Sequence, residues 1–319
     1  MQFYAALVTS HLRTKPKRMP APHLIGIGIP TYNRPDMLAR LLDSIDADWP
    51  IAVSDNGALL DESFKARYPA VNFVSQPELL TMWKNWNCAA QALDAEWILL
   101  PGDDDLYYPG AFDVIERAIR ANPSADIVFF GHHIIDEHDC ILDTWQPAGA
   151  ALDAPAGFHH LRLGVPARPP GIAFRKAFFE RLDGFSDEFK KTASDNDFYQ
   201  RMTLLGKTVL VPDVVCGYRL WQSGGTLMLL AARVWLEDVD LWTRRMQLFA
   251  KLHTSYAYSD ALRDEIYMAN VIAGVDSLKR SGGGIVGAWR HATAIRYPFR
   301  ARPLSHLRLL AHLLRPARR

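Results

Sequence analysis

Trp97-Ile98-Leu99-Leu100-Pro101-Gly102-Asp103-Asp104-Asp105 is an apolar run of strand length, stopped by Pro-Gly and opening at once onto three carboxylates. Its neighbours repeat the pattern. Leu24–Ile29 is a short apolar run that breaks at Pro30, and Leu38, Leu41, Leu42 and Ile45 then follow helical spacing behind Asp36. Ile51–Ser54 and Val71–Val74 read as strands, the first stopped by Asp55-Asn56-Gly57. A helix carrying Met82, Trp86, Ala89, Ala90 and Leu93 leads into the Trp97 strand; a helix from Pro109 to Ala121 and a strand at Asp126–Gly131 follow. Strands alternating with helices predict an α/β fold with a mainly parallel sheet flanked by helices. In such sheets ligands sit beyond the carboxyl ends of the strands, where Asp55 and the Asp103–Asp105 run fall.

Three adjacent carboxylates repel one another unless something offsets their charge. Hard oxygen ligands suit Mg²⁺ or Mn²⁺, and magnesium takes one or two carboxylates plus substrate phosphates. One reading is a divalent metal bridging the chain to a diphosphate; the other is a solvated acidic turn capping the next helix. Gly26 and Gly28 lack the third glycine of a dinucleotide fingerprint. His132, His133 and His138 match no structural zinc spacing and read as a polar hairpin rim.

Further blocks appear in order: residues 28–35 (Gly28 to Pro35), Val53-Ser54-Asp55-Asn56-Gly57, Asn85-Trp86-Asn87-Cys88-Ala89-Ala90, Phe174-Arg175, residues 183–189 (Asp183 to Phe189), and Ser194-Asp195-Asn196-Asp197 running on to Arg201. With the Asp run, this set resembles the family 2 glycosyltransferases over about residues 24–225. The resemblance implies a GT-A fold and inverting, metal-dependent transfer of a sugar from a nucleotide-diphosphate sugar, typically a UDP-sugar, to a hydroxyl. The acceptor it suggests is a growing surface glycan or a lipid-linked glycan. It places Pro30, Thr31, Tyr32, Arg34, Asp55, Lys84, Asn87 and Asp103 on the donor, with the Tyr32 ring against the base and Asp55 accepting from it. Asp104 and Asp105 become the metal ligands, Asp195 the catalytic base with Asp197 structural, and Gly184, Phe185, Asp187 and Glu188 the acceptor-side loop. Arg201, four residues after Asp197, reads as its intrahelical ion-pair partner. Three positions depart from the family pattern: Gly102 stands at the first aspartate of the DxD motif, Ser194 at the acidic partner of the base, and Trp221 where a histidine often meets the metal or diphosphate. Arg219 and Ser223 are then the groups left near the phosphates. The departures keep two rival readings open: a nucleotidyltransferase using the same Asp cluster, and a catalytically impaired nucleotide-sugar binder.

The 319 residues are 49% hydrophobic and 22% charged, which excludes a disordered chain and a disulfide miniprotein. Three scattered cysteines, Cys88, Cys140 and Cys216, fit a reducing compartment. No apolar run is long enough to span a bilayer, and the basic residues near the start follow the apolar stretch, the wrong order for a secretory signal. A cytoplasmic protein is expected, peripheral on the membrane's inner face. Residues 1–23 read as a tail, within which Met19 is an alternative start to Met1; 24–225 is the catalytic unit and 226–319 a helical C-terminal extension, with stretches at Leu227–Leu252 and Asp260–Arg280 broken at residues 281–284.

The net charge of +1 conceals an asymmetry. Residues 277–319 contain no Asp or Glu and carry +10, leaving −9 on the rest. On a helical wheel of residues 303–314, Leu304, Leu307, Leu310 and Leu314 share one side, broadened by Leu309 and Leu313, with Arg308, His312 and Arg315 opposite. That pattern suits an in-plane interfacial helix, so residues 300–319 are expected at an anionic membrane surface. The leucine stripe speaks against nucleic acid; docking on the protein's own body is the alternative.

Overall fold

The computed structural model describes residues 22–221, 230–280, 282 and 284–315. Strands β1 (His23–Thr31), β2 (Ile51–Asn56), β3 (Val71–Gln76) and β4 (Ala95–Leu99) are parallel. They are linked through helices α1 (Pro35–Asp43), α2 (Glu62–Ala66) and α3 (Met82–Gln91). β1 is buried from Ile25 to Thr31 without alternation, as a strand covered on both faces must be. Past β4 come β5 (Leu106–Tyr107), α4 (Ala111–Ala121), β6 (Ile127–Ile135), β7 (Ile141–Trp145), β8 (Ala150–Leu152) and α5 (Ala156–Leu161). β9 (Ile172–Arg175), α6 (Lys176–Arg181), α7 (Ser194–Leu205) and β10 (Thr208–Arg219) complete the α/β unit.

The sheet order is β3-β2-β1-β4-β9-β6-β10-β5. β9 lies antiparallel between β4 and β6, so one half is parallel and the whole is mixed. A four-residue central strand shows no periodicity in sequence, which is why only its Phe174-Arg175 block stood out. The helix expected from Asp36 begins at Pro35, with Arg34 as N-cap, and Asp36 sits in its first turn.

Four helices follow: α8 (Arg233–His253), α9 (Asp260–Arg280), α10 (Ile285–Ala292) and α11 (Pro303–Leu314). The helix expected from Leu227 begins at Arg233; Leu227 itself, like Ser223, lies outside the described residues. Gly282, at φ +83°, marks the expected break. Trp242, Met246, Tyr267, Leu309 and Leu313 of these helices share one apolar core with Ile98, Phe129 and Phe198 of the α/β unit. A second core, on the other side, packs α1 and α4 against Ile27, Val53 and Val128.

Candidate active site

The carboxyl ends of β1 and β4, the Asp103–Asp105 loop, the start of α7 and the end of β10 surround one cleft of about 870 Å³. The acidic loop knits its elements together. Asp103 accepts from Thr31 Oγ1 at 2.8 Å and from the Tyr32 amide at 3.4 Å, tying the loop after β1 to the loop after β4. Burial and the neighbouring Asp104 charge push Asp103 up to about 6. Asp105 is buried and accepts from Gly102 N at 2.7 Å and Arg219 N at 3.0 Å, and burial raises its pKa well above the usual range. All three carboxylates line the cleft, and Asp104 is the one left partly exposed. Its Oδ2 takes Arg34 Nη1 at 2.7 Å and Trp221 Nε1 at 2.6 Å, and the Arg34 guanidinium lies 5.7 Å from the Trp221 ring centre. Trp221 thus brings an N–H donor to Asp104 where the resemblance leads one to expect histidine.

This donor set fits a hard divalent cation through Asp104 alone. Its Oδ1 accepts no hydrogen bond among the described residues, while both Asp105 oxygens are committed to backbone amides. Asp105, expected beside Asp104 as a metal ligand, here organises the loop through those amides. Among the described residues no three His, Cys, Asp or Glu side chains gather into a metal cage, so donor phosphates would have to complete the coordination shell.

Tyr32, half exposed, lines the cleft wall beside Pro30 and Arg34. Asp55 does not line the cleft. Its oxygens accept from Leu59 N at 2.9 Å and Leu60 N at 3.0 Å, because Asp-Asn-Gly closes a turn at the end of β2, and the wall residue is Asn56. Lys84 does not line the cleft and pairs with Asp187 at 3.2 Å. Asn87 exchanges two hydrogen bonds with the Phe185 backbone, at 2.8 and 3.0 Å, instead of facing the donor. Asn85, two residues before Asn87 and so on the opposite face of α3, does line the cleft, accepting from Ser54 Oγ and donating to Thr31 O.

The acceptor-side loop is largely structural. Gly184 adopts φ +57°, and a Cβ there would lie 2.6 Å from Asn87 Oδ1 and 2.7 Å from the Phe179 ring. Phe185 is core, stacked on Trp83 with ring centres 5.9 Å apart. Asp187 pairs with Lys84 and accepts from Thr81 Oγ1; Glu188 pairs with Arg245. Sugar contacts are expected of all four residues; in this structure Asp187 and Glu188 are engaged within the protein.

At the start of α7 two aspartates take opposite roles. Asp195 lines the cleft; its Oδ1 takes the Asn196 amide at 2.8 Å and its Oδ2 accepts no hydrogen bond among the described residues. Asp197 is fully buried and pairs with Arg201 Nε at 2.9 Å and Arg245 Nε at 3.4 Å, as the spacing to Arg201 predicts. Burial raises its pKa although both arginines pull it down. The loop before α7 is gripped by Asp238 of α8, whose buried carboxylate accepts from the Lys190, Lys191 and Thr192 amides at 3.0, 2.6 and 2.9 Å. Lys191, Thr192 and Trp235 also reach the cleft, as do Arg168 and Tyr218, whose cation–ring separation is 5.2 Å. No sequence motif marks Arg168, Lys191, Thr192 or Trp235; Tyr218 comes from the end of β10. Arg219, expected near phosphate, is spent on the Asp104 and Asp136 carbonyls and on Asp139. The expected histidine rim is also corrected: His132 is buried, and burial lowers its pKa to about 4.

The Rossmann-like half-sheet, the acidic loop after β4 and the helix-borne Asp195 define a GT-A-type glycosyltransferase architecture. The family model described as glycosyl transferase family 2 matches residues 27–182, and the chain resembles the glycosyltransferases of that family. Residues 1–349 of TarS from S. aureus superpose with a TM-score of 0.57 at 14% identity, covering 91% of this chain and 88% of that one. The same protein in complex with UDP-GlcNAc gives 0.56 at 15%, again covering 91% and 88%. A mannosyltransferase from Pyrobaculum calidifontis, in complex with GDP-Man and Mn²⁺, gives 0.51 at 17%, covering 92% and 86%. No curated protein matches the chain by sequence.

Proposed function

We infer that the chain transfers a sugar, with inversion, from a nucleoside-diphosphate sugar to a hydroxyl group of a glycan or lipid-linked acceptor, in the synthesis of a surface polysaccharide. The observation that carries this is the placement of Asp195 in one cleft with the Pro30–Arg34 loop and Asp104. A UDP-sugar is the first donor to test, since TarS has been captured with UDP and UDP-GlcNAc. The base and sugar enter along the exposed Tyr32 ring, a flat face suited to stacking. Arg34, Arg168 and Lys191 surround the cleft with positive charge suited to a diphosphate. Asp195 accepts the proton of the acceptor hydroxyl through its free Oδ2. The acceptor oxygen then forms its bond to the anomeric carbon from the face opposite the breaking bond, and the diphosphate leaves with that bond's electron pair. A divalent cation at Asp104 would neutralise the leaving diphosphate when bound. Residues 300–319 are proposed to meet an anionic membrane surface, next to which a lipid-linked acceptor would be held.

The test is a donor screen scored by release of nucleoside diphosphate, with Mn²⁺ and with EDTA. Release of diphosphate from one donor family, abolished in Asp195→Asn, is the expected result. Release of pyrophosphate, or an unchanged rate in Asp195→Asn, overturns the assignment.

A further inference from the structure

Helix α11 is docked on the body by its inner face. Leu309 and Leu313 are buried, Ser305 Oγ donates to Glu265 at 2.5 Å, and His312 Nδ1 meets Asp276 at 2.7 Å. Lys279 Nζ closes the helix end on the carbonyls of His312, Leu313 and Arg315. Docking leaves the opposite face unpaired: Leu304, Leu307 and Leu314 are each more than 60% exposed. Neighbouring α10, packed like α11 against α9, adds exposed Ile285, Val286 and Trp289. The segment joining the two helices presents Phe299, 79% exposed. Soluble surfaces scatter such side chains singly; a cluster of this kind marks an interaction face.

The structure also sorts the basic residues. Lys279, Arg296 and Arg300 are spent inside the protein, on helix-end carbonyls, on Asp240 and Asp264, and on Asp260. Arg280, Arg290, Arg302, Arg308 and Arg315 are exposed and carry no ion pair among the described residues. His312, expected opposite the leucines, points into the body, while Arg308 and Arg315 lie beside the apolar strip.

The geometry points to α10 and α11 together as a docking face for an anionic lipid bilayer. This rests on the membrane reading above and widens it from residues 300–319 to residues 285–315. Leucines, a tryptophan and a phenylalanine enter the headgroup boundary, and the five free arginines meet lipid phosphates. A second copy of the chain fits the same face poorly, because a two-fold contact sets each basic patch against itself.

The test floats the full-length chain with vesicles of phosphatidylcholine alone or mixed with phosphatidylglycerol. Three exposed pairs are substituted: Val286→Ser with Trp289→Ser, Leu304→Ser with Leu307→Ser, and Arg290→Ala with Arg308→Ala. The parent is expected to bind the anionic vesicles only. The arginine pair weakens binding by about fivefold per charge removed, and each apolar pair by about tenfold or more. Nucleotide release in solution stays at the parent's level in all three variants. Loss of binding in the α11 pair but not in the α10 pair overturns the two-helix face and leaves the 300–319 reading standing. A parent that ignores both vesicles overturns both. A parent dimer in light scattering that the α10 pair turns into a monomer assigns the face to a second copy. Vesicle binding without any nucleotide release strikes the transferase reading alone.

Discussion

Asp195 and Asp197 stand two residues apart on one helix, and the structure gives them separable consequences. Asp197→Ala removes the counter-charge of two guanidiniums from a fully buried site. Removing one partner of a buried ion pair costs about 3–5 kcal/mol, because the other charge is left uncompensated. Here the remaining contacts soften the loss: Arg201 keeps the Leu182 and Gly184 carbonyls at 2.6 and 3.0 Å, and Arg245 keeps Glu188. The lower end, about 3 kcal/mol, is therefore expected, equivalent to a fall in Tm of about 4–5 °C for a chain of this length. The Leu182 and Gly184 carbonyls belong to the turn that seats Phe185, so the damage spreads to the aromatic cluster of Phe179, Phe185 and Phe198. Asp195→Asn, partly exposed and half unpaired, is expected to leave Tm within about 1 °C while lowering turnover by about 10²–10⁴-fold. Thermal unfolding by circular dichroism and nucleotide release on the same preparations read the two effects. A stable Asp197→Ala protein with lost turnover, beside a destabilised Asp195→Asn protein, would refute the division of roles.

Three further predictions follow from the site. Asp238→Ala frees the Lys190, Lys191 and Thr192 amides, so kcat should fall by more than tenfold while Asp238→Glu restores part of it; equal losses in both variants, confined to Tm, would make the residue merely structural. Asp104→Asn should weaken any Mn²⁺ stimulation, and Asp105→Asn should instead lower Tm, since its carboxylate holds backbone amides; titration of activity with Mn²⁺ alongside melting curves separates them. His132 is held neutral with a pKa near 4 by burial first and the Arg168 charge second. Its unfolded form takes a proton below about 6.5 that the folded form refuses until about 4, so stability falls as pH drops through that window, by about 3 kcal/mol at most. His132→Phe should flatten that limb in urea melts at successive pH values, and a difference curve without slope between pH 4 and 6.5 would exclude the effect.

The parallel half of the fold was readable because each strand is a continuous apolar run between punctuating Pro, Gly and Asp residues. A run of that kind needs only local chemistry to be recognised. The same holds for the strand-end carboxylates and for Arg201, whose partner lies one helical turn away. The antiparallel β9 was not readable, since four residues between two longer strands acquire their place only by pairing.

Within the site, residue identity announced which groups were polar but not where they spend their hydrogen bonds. Asp55, Asp105, Asn87 and Lys84 look in sequence like ligand contacts, yet each is occupied by an amide or an ion pair that folding brings beside it. A buried polar group that folding has already satisfied is held in place and is costly to redirect towards a ligand. Asp238, Arg168, Lys191 and Trp235 show the converse, since no local motif marks a residue whose role is created by contact with a distant loop. The leucine stripe of α11 combines both cases. Its periodicity is local and was legible, but the choice of Leu309 and Leu313 as inner face, leaving Leu304, Leu307 and Leu314 outside, depends on where α9 and the core stand. Short-range pattern is written along the chain; the division of each pattern between inside and outside is set by packing among residues far apart in it.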